Sequence, residues 1–172
     1  NGAEELPSFL PKVQERNRYQ CRVWENCGST GNDLRGGYKM RLDGFGLLVD
    51  DMPTMIRFYR DVLGFEIKED ENASNVYLIK DGTLFLLYGR NDFEKMTSHK
   101  YEYLKGLNGH FEIALYVDTF EEVDEEYRKA IAAGAGSVLE PTTEPWGQRT
   151  CYISDPEGNL IEIGSFNRPF GR

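Results

Sequence analysis

Two segments of the chain, 44–60 and 112–128, share one order of hydrophobic and polar positions. Each begins with apolar residues at every second position, which is typical of a strand packed on one face. These apolar rows are Phe45, Leu47 and Val49 in the first segment and Ile113, Leu115 and Val117 in the second. Apolar residues at helical spacing follow in both segments. The pattern therefore predicts a strand followed by a helix, twice.

Capping residues mark both predicted helices. Asp50 and Asp51 precede the first helix as cap candidates, and Gly64 follows its apolar stripe. Thr119 and Glu122 have the spacing of a capping box at the start of the second helix. Gly134 is placed to end it, so both helices have predicted boundaries.

An internal repeat relates the two segments at an offset of 68 residues, which sets Gly44 against Glu112. Five of seventeen ungapped positions are identical in residues 44–60 and 112–128. Three strand candidates follow each helix, and they are residues 65–71, 75–80 and 83–88, then 136–140, 149–154 and 160–166. In the last pair of hairpins Leu86 corresponds to Glu162.

The repeat predicts an α+β fold with two tandem βαβββ modules, about 40–90 and 109–167, within a domain spanning 40–172. A βαβββ half has one sheet face covered by its helix, so the two bare faces should form a curved mixed sheet around a cleft with the helices outside. Residues 1–39 differ in character and are expected to be an N-terminal extension. This extension is either a short helix plus loop that docks on the domain or on a second subunit, or upstream sequence.

The composition limits the classes of partner that the protein can have. The formal charge of −9 argues against nucleic acid, since phosphate binding needs a concentrated basic surface. No apolar run approaches the length of a membrane span and no secretory signal is evident, so we expect a cytoplasmic protein without membrane contact. The three cysteines form no CxxC pair, which predicts neither a disulfide framework nor a zinc site.

Glu112 and Glu162 are expected on the bare faces, because they alternate with the rows that meet the helices. Two nearby carboxylates need a balancing group, which Arg149, a bound cation or a shared proton could supply. In the structural interpretation, Arg149 forms an internal salt bridge with the glutamates. In the functional interpretation, the two glutamates are a general acid and base pair, or they anchor a cationic ligand.

The duplication, the segment LDGFGLLVDDM and above all WGQRTCYISDPEGNLIEI at 146–163 resemble the vicinal-oxygen-chelate superfamily, which includes glyoxalase I, extradiol dioxygenases, fosfomycin-resistance enzymes and bleomycin-binding proteins. The resemblance implies metal-ligand positions at Gly44, Leu86, Glu112 and Glu162. Of these only the two glutamates can bind a metal. His110 is a candidate third ligand if its strand is locally shifted, and a rim histidine otherwise.

Further residues complete the predicted site. Trp146, Tyr88 and Tyr116, with Tyr101 or Tyr103 from the linker 91–109, are expected to form aromatic walls, or simply to pack in the core and rim. The linker itself is a candidate lid or dimer contact. Asp155 to Gly158 are interpreted as a tight turn without chemistry.

The leading expectation is a metal-independent small-molecule binding protein of the bleomycin-resistance type, which sequesters a cationic or aromatic compound without a cofactor. The alternative is a divalent-metal-dependent lyase, isomerase or dioxygenase of the glyoxalase type, using Glu112, Glu162 and His110. A third reading is a sensor or assembly subunit without catalysis. Family members often pair their modules across subunits, so a homodimer is expected in each case.

Overall fold

A computed structural model of the protein describes residues 42–169, and the predictions for residues 1–39 lie outside this range. The elements of the first half are β1 (Gly44–Val49), α1 (Met52–Arg57, continued by a π-helical turn, Phe58–Val62), β2 (Asn75–Lys80) and β3 (Thr83–Gly89). Those that follow are α2 (Arg90–Thr97), β4 (Asn108–Tyr116), α3 (Phe120–Ala132), β5 (Gly136–Thr143), β6 (Arg149–Ser154) and β7 (Asn159–Ser165).

The strands form two sheets with matching topology. The first sheet has the order β1-β3-β2 and the second β4-β7-β6-β5. In each sheet the first strand of the half pairs in parallel with its last strand, and Gly46 faces Leu86 as Ala114 faces Glu162. The predicted α+β fold with two tandem modules is therefore confirmed, and so is the equivalence of Leu86 and Glu162.

The helices begin at the predicted caps. The Asp51 carboxylate accepts hydrogen bonds from the backbone N–H and the hydroxyl of Thr54, at 3.1 and 2.8 Å. Thr119 and Glu122 form the reciprocal capping box at the start of α3. Each cap satisfies backbone N–H groups that the first helical turn leaves unpaired.

None of the helices within residues 42–169 is long and apolar enough to cross a membrane.

One hydrophobic core joins both halves. Its members are the predicted apolar rows and helix stripes, among them Leu47, Val49, Met55, Ile56, Tyr59, Phe85, Ile113, Val123, Ile153, Ile161 and Ile163. Phe45 is the exception, because its side chain is 41% exposed. The strand rows that alternate with these residues are left facing away from the helices.

The prediction of a strand at 65–71 is wrong, and the first sheet has three strands. Phe65 and Ile67 are buried in the core, which accounts for the alternation in the sequence. Their backbone N–H groups bond to Tyr59 and Phe65 rather than to a neighbouring strand. Alternating burial therefore marks an extended segment here that no β-ladder includes.

The segment 91–109, predicted to be the linker between the halves, contains most of helix α2, which the sequence did not predict. None of the α2 residues is buried, so no apolar stripe announced it in the sequence. Its C-cap, Ser98, has φ of 52°, the left-handed conformation that ends the helix.

The turn between β6 and β7 docks on the first half of the molecule. One oxygen of Glu157 accepts the backbone N–H groups of Asp50 and Asp51, both at 2.8 Å, and the other binds Arg90 at 2.7 Å. The buried Asp155 accepts a hydrogen bond from the Tyr59 hydroxyl at 3.0 Å. This turn, predicted to serve only as a tight connection, thus ties the two halves together.

Candidate functional site

Three polar side chains meet on the face of the second sheet that α3 does not cover. Tyr152 of β6 lies directly across from Glu162 of β7. Glu112 of β4 is diagonal to Glu162, because Glu112 pairs with Leu160 and Ala114 pairs with Glu162. Side chains two residues apart along a strand point to the same face, so all three lie on one surface. We call Glu112, Tyr152 and Glu162 the acidic triad.

The Glu162 carboxylate is held by neighbouring donors. The hydroxyl of Thr150, which is 3% exposed, donates to Glu162 Oε1 at 2.8 Å. The Gln148 Nε2 amide donates to the same oxygen at 3.1 Å. The indole N–H of Trp146 donates to Gln148 Oε1 at 3.0 Å and so fixes which end of the amide points at Glu162.

Gly164 makes room for this arrangement. A Cβ at this position would lie 2.6 Å from Gln148 Nε2 and 3.6 Å from Glu162 Oε1. Any larger residue would push the Gln148 amide aside. The glycine is therefore part of what sets the orientation of Glu162.

The Tyr152 side chain shares its face of the sheet with both carboxylates and interacts with each of them. Burial, followed by the charges of Glu162 and Glu112 and by hydrogen bonds to both, raises the pKa of Tyr152 to about 12. The phenol therefore keeps its proton at neutral pH and remains a hydrogen-bond donor. One proton cannot satisfy two carboxylates fully, so acceptor capacity is left on the surface.

Arg149 does not balance these charges. It lies on β6, three residues before Tyr152 and on the other face of the sheet. Its Nε binds Asp124 of α3 at 2.6 Å and its Nη1 binds Thr143 at 3.1 Å. Among residues 42–169, neither Glu112 nor Glu162 forms an ion pair with a lysine or arginine. The triad is thus an acidic surface without a cationic partner in the described part of the chain.

The equivalent face of the first sheet is apolar. Leu84, Leu86 and Tyr88 lie on it along β3, with Tyr77 and Ile79 along β2. A side chain at Gly44, the counterpart of Glu112, would clash with β3, because its Cβ would lie 2.1 Å from the carbonyl oxygen of Leu84. The two halves therefore offer very different surfaces, one hydrocarbon and one acidic.

The remaining predicted site residues are spread over the molecule. His110 is exposed and lies where the β4–β7 register shifts, between Asn108 and Glu112. The Tyr116 hydroxyl binds the C-terminal segment, through the Arg168 carbonyl at 2.9 Å and the Phe166 N–H at 3.1 Å. Trp146 stands at the edge of the triad with 65% of its surface exposed.

The linker tyrosines form an aromatic chain on the first half. Tyr88 contacts Phe93 of α2, which contacts Tyr101, with ring centroids 5.9 and 5.3 Å apart. Tyr103 lies 6.3 Å from Tyr101 and carries the guanidinium of Arg90 at 4.3 Å from its ring. These rings pack with one another and with Arg90, and no contact of theirs reaches the acidic triad within the described structure.

The acidic triad lies on an open surface. Two shallow cavities of about 260 and 390 Å³ occur elsewhere, one beside α2 and one around the turn at residues 155–158. Neither is lined by Glu112 or Glu162. These two cavities are therefore separate from the acidic triad.

A metal centre built by protein ligands does not fit these residues. Among residues 42–169, no three His, Cys, Asp or Glu side chains are placed to hold a metal ion. Two carboxylates alone would leave most of the shell of a divalent cation to other oxygens. The steric exclusion at Gly44 and the hydrocarbon of Leu86 remove the other two family positions.

Three residues of the site were missed by sequence reasoning, namely Gln148, Thr150 and Tyr152. For Thr150 and Tyr152 the signal was present in the alternation of β6, since Cys151 and Ile153 are fully buried on the helix side. The residues that alternate with these two must then face the other way, beside Glu162.

Comparison with models of protein families gives a match over most of the described domain. The model of the Glyoxalase/Bleomycin resistance protein/Dioxygenase superfamily matches residues 41–163, which contain both halves and the acidic triad. The chain belongs to this superfamily. The superfamily contains several chemistries on one fold, so membership alone does not decide the activity.

Several known proteins are similar to this chain. The uncharacterized protein YraH of Bacillus subtilis is 30% identical over 127 residues, covering 72% of this chain and 97% of that protein. The virulence protein STM3117 of Salmonella typhimurium is 28% identical over 130 residues, covering 73% and 84%. A crystal structure of a glyoxalase/bleomycin resistance protein/dioxygenase family enzyme from Burkholderia phytofirmans is 25% identical, with a TM-score of 0.64, covering 74% and 99%.

Proposed function

We propose that this protein binds and sequesters a small cationic or aromatic organic compound at the acidic triad, without a metal ion or other cofactor. The observation that carries the proposal is the pair Glu112 and Glu162 on one open face, without an ion-pair partner among the described residues. Charged carboxylates attract a cation most strongly where no internal cation competes.

Two further features support a ligand of this class. The exposed indole of Trp146 lies beside the triad, joined to it through Gln148, and can stack on a flat or cationic group. The net charge of −9 raises the local concentration of cations around the protein.

The donor set favours binding over metal-dependent catalysis. In glyoxalase-type enzymes the metal supplies Lewis-acid chemistry, which requires a held ion with an open position. The first half contributes hydrocarbon where such a centre would need donors, and the second contributes two carboxylates. Sequestration requires only affinity, which this surface can provide.

A thermal-shift experiment tests the proposal. We expect benzylammonium at millimolar concentration to raise the melting temperature, because a ligand that binds only the folded state stabilises it by mass action. EDTA should leave both the melting temperature and this shift unchanged. The double variant E112Q/E162Q should lose most of the shift.

The matched control is E125Q/E126Q, which removes two carboxylates from α3, where they pair with Lys129 on the covered side of the sheet. It has the same change in net charge and should keep the shift. A large stabilisation by Mg²⁺, Mn²⁺ or Zn²⁺ that is abolished in E112Q/E162Q, with no response to benzylammonium, would overturn the proposal in favour of a metal-dependent enzyme.

A further inference from the structure

We infer that Tyr152 is a specificity-determining residue that makes the acidic triad selective for cations bearing N–H groups over fully alkylated ones. The inference rests on the proposed function and narrows its ligand class to protonated amines, amidines and guanidines. It starts from the position of Tyr152, directly across from Glu162 on the face of the sheet that also carries Glu112.

The hydroxyl of Tyr152 both donates and accepts hydrogen bonds. Its proton is directed to the carboxylates, which carry the larger negative charge. Its oxygen lone pairs can then accept an N–H from a bound cation. A ligand with N–H groups can therefore bond to the carboxylates and to the phenol at the same time.

The two carboxylates keep oxygen atoms that can accept hydrogen bonds from a ligand. Thr150 and Gln148 both donate to Oε1 of Glu162, so Oε2 receives neither of these bonds. Glu112 is exposed and has no ion-pair partner among the described residues. Acceptor capacity is thus left on the face that Tyr152 shares with the two glutamates. Charge-assisted N–H bonds to carboxylates are about twice as strong as neutral ones.

A quaternary ammonium ion offers a useful contrast. It has no N–H group, so it gains only the attraction of the charges and the contact with the Trp146 ring. If aromatic stacking dominated the site, a quaternary cation would bind as well as a primary one. If the acceptors around Tyr152 dominate, it will bind more weakly.

The experiment compares benzylammonium with benzyltrimethylammonium by isothermal titration calorimetry on the full chain. We expect the wild-type protein to bind benzylammonium at least ten-fold more tightly. Y152F keeps the ring but removes the hydroxyl, and it should weaken benzylammonium binding about ten-fold while leaving benzyltrimethylammonium binding within about two-fold, since a lost hydrogen bond affects only the ligand that made it. Retained binding of the quaternary ion also shows that the variant is folded.

The control is Y127F, at a position on α3. It removes a tyrosine hydroxyl that is hydrogen-bonded to Ser137 at 2.7 Å, and it should change neither affinity. Equal binding of the two cations, or an unchanged preference in Y152F, overturns the inference and leaves the proposed function standing. Binding of neither cation to the wild type overturns both.

Discussion

At the scale of single residues, the two faces of β6 separate the chemistry of the molecule. Tyr152 faces the open surface with the glutamates, whereas Cys151 and Arg149 face α3. Arg149 is drawn to Asp124 because that carboxylate is on its own side of the sheet. A change of one residue in position along the strand therefore decides whether a group contributes to the site or to the core.

The pH dependence of the free energy of unfolding tests whether Cys151 is buried on the helix side of β6. Burial raises the pKa of its thiol to about 12, while in an unfolded chain a thiol has a pKa of about 8.5. The folded state therefore holds the proton more tightly, so the stability it contributes is complete below pH 8.5 and is lost as pH rises toward 12. At pH 10 the loss should reach at most about 2 kcal/mol relative to pH 7.

The measurement is urea unfolding of the wild type and of C151A at pH 7 and pH 10. The wild type should lose more free energy of unfolding between the two values than C151A does. Equal losses would mean that the thiol is solvated in the native protein, contrary to its burial.

At the scale of elements, the two helices that cover the sheets are capped in different ways. The second half caps α3 from within, by Thr119 and Glu122. The first half uses Asp51 and also receives Glu157 from the turn between β6 and β7, which accepts the N–H groups of Asp50 and Asp51. The start of α3 is thus capped by residues of the second half alone. The start of α1 also depends on Glu157, which belongs to the second half.

We therefore expect E157A to lower the free energy of unfolding by about 2 to 3 kcal/mol, because it leaves two backbone N–H groups and Nη2 of Arg90 without this acceptor. The Nε of Arg90 keeps its bond to the Leu48 carbonyl. The Glu157 side chain is only 11% exposed, so water replaces the lost bonds poorly. Chemical denaturation measures the change. E125A, which removes an exposed partner of Lys129, should cost less than about 1 kcal/mol, and a similar cost for both variants would contradict a structural role of the turn.

At the scale of the whole molecule, the two sheet faces that the helices leave open differ in character. The face of the first sheet is hydrocarbon and aromatic, with Ile79 51% and Tyr77 40% exposed. The face of the second sheet carries the acidic triad. Residues 42–169 leave this apolar face without a covering element. Large exposed apolar patches are rare in monomers, and the homodimer expected from the family resemblance would cover this one.

Sedimentation equilibrium should accordingly give a mass near twice the 19.7 kDa of the chain. I79E places a charge on the apolar face and should shift the equilibrium toward monomer, since burial of an unpaired charge is costly. V138E, at a 40% exposed position on β5 of the other sheet, is the control and should leave the mass unchanged. A monomeric wild type at tens of micromolar would contradict the dimer.

The sequence by itself determined the duplication, the helix caps and most strands, because periodicity and capping are local properties that each segment carries alone. It also determined the asymmetry of the halves, since Gly44 and Leu86 match Glu112 and Glu162 by position in the repeat. It failed at residues 65–71, where alternating burial occurs without strand pairing, and at α2, whose exposed residues form no stripe.

Only the tertiary structure decided which side chains share the site. Strand register places Tyr152 opposite Glu162 and turns Arg149 away, and a register is a property of two strands rather than one. The docking of Glu157 on β1 and α1 joins residues more than a hundred positions apart. Such long-range pairings depend on the packing of the whole domain, which no local pattern encodes.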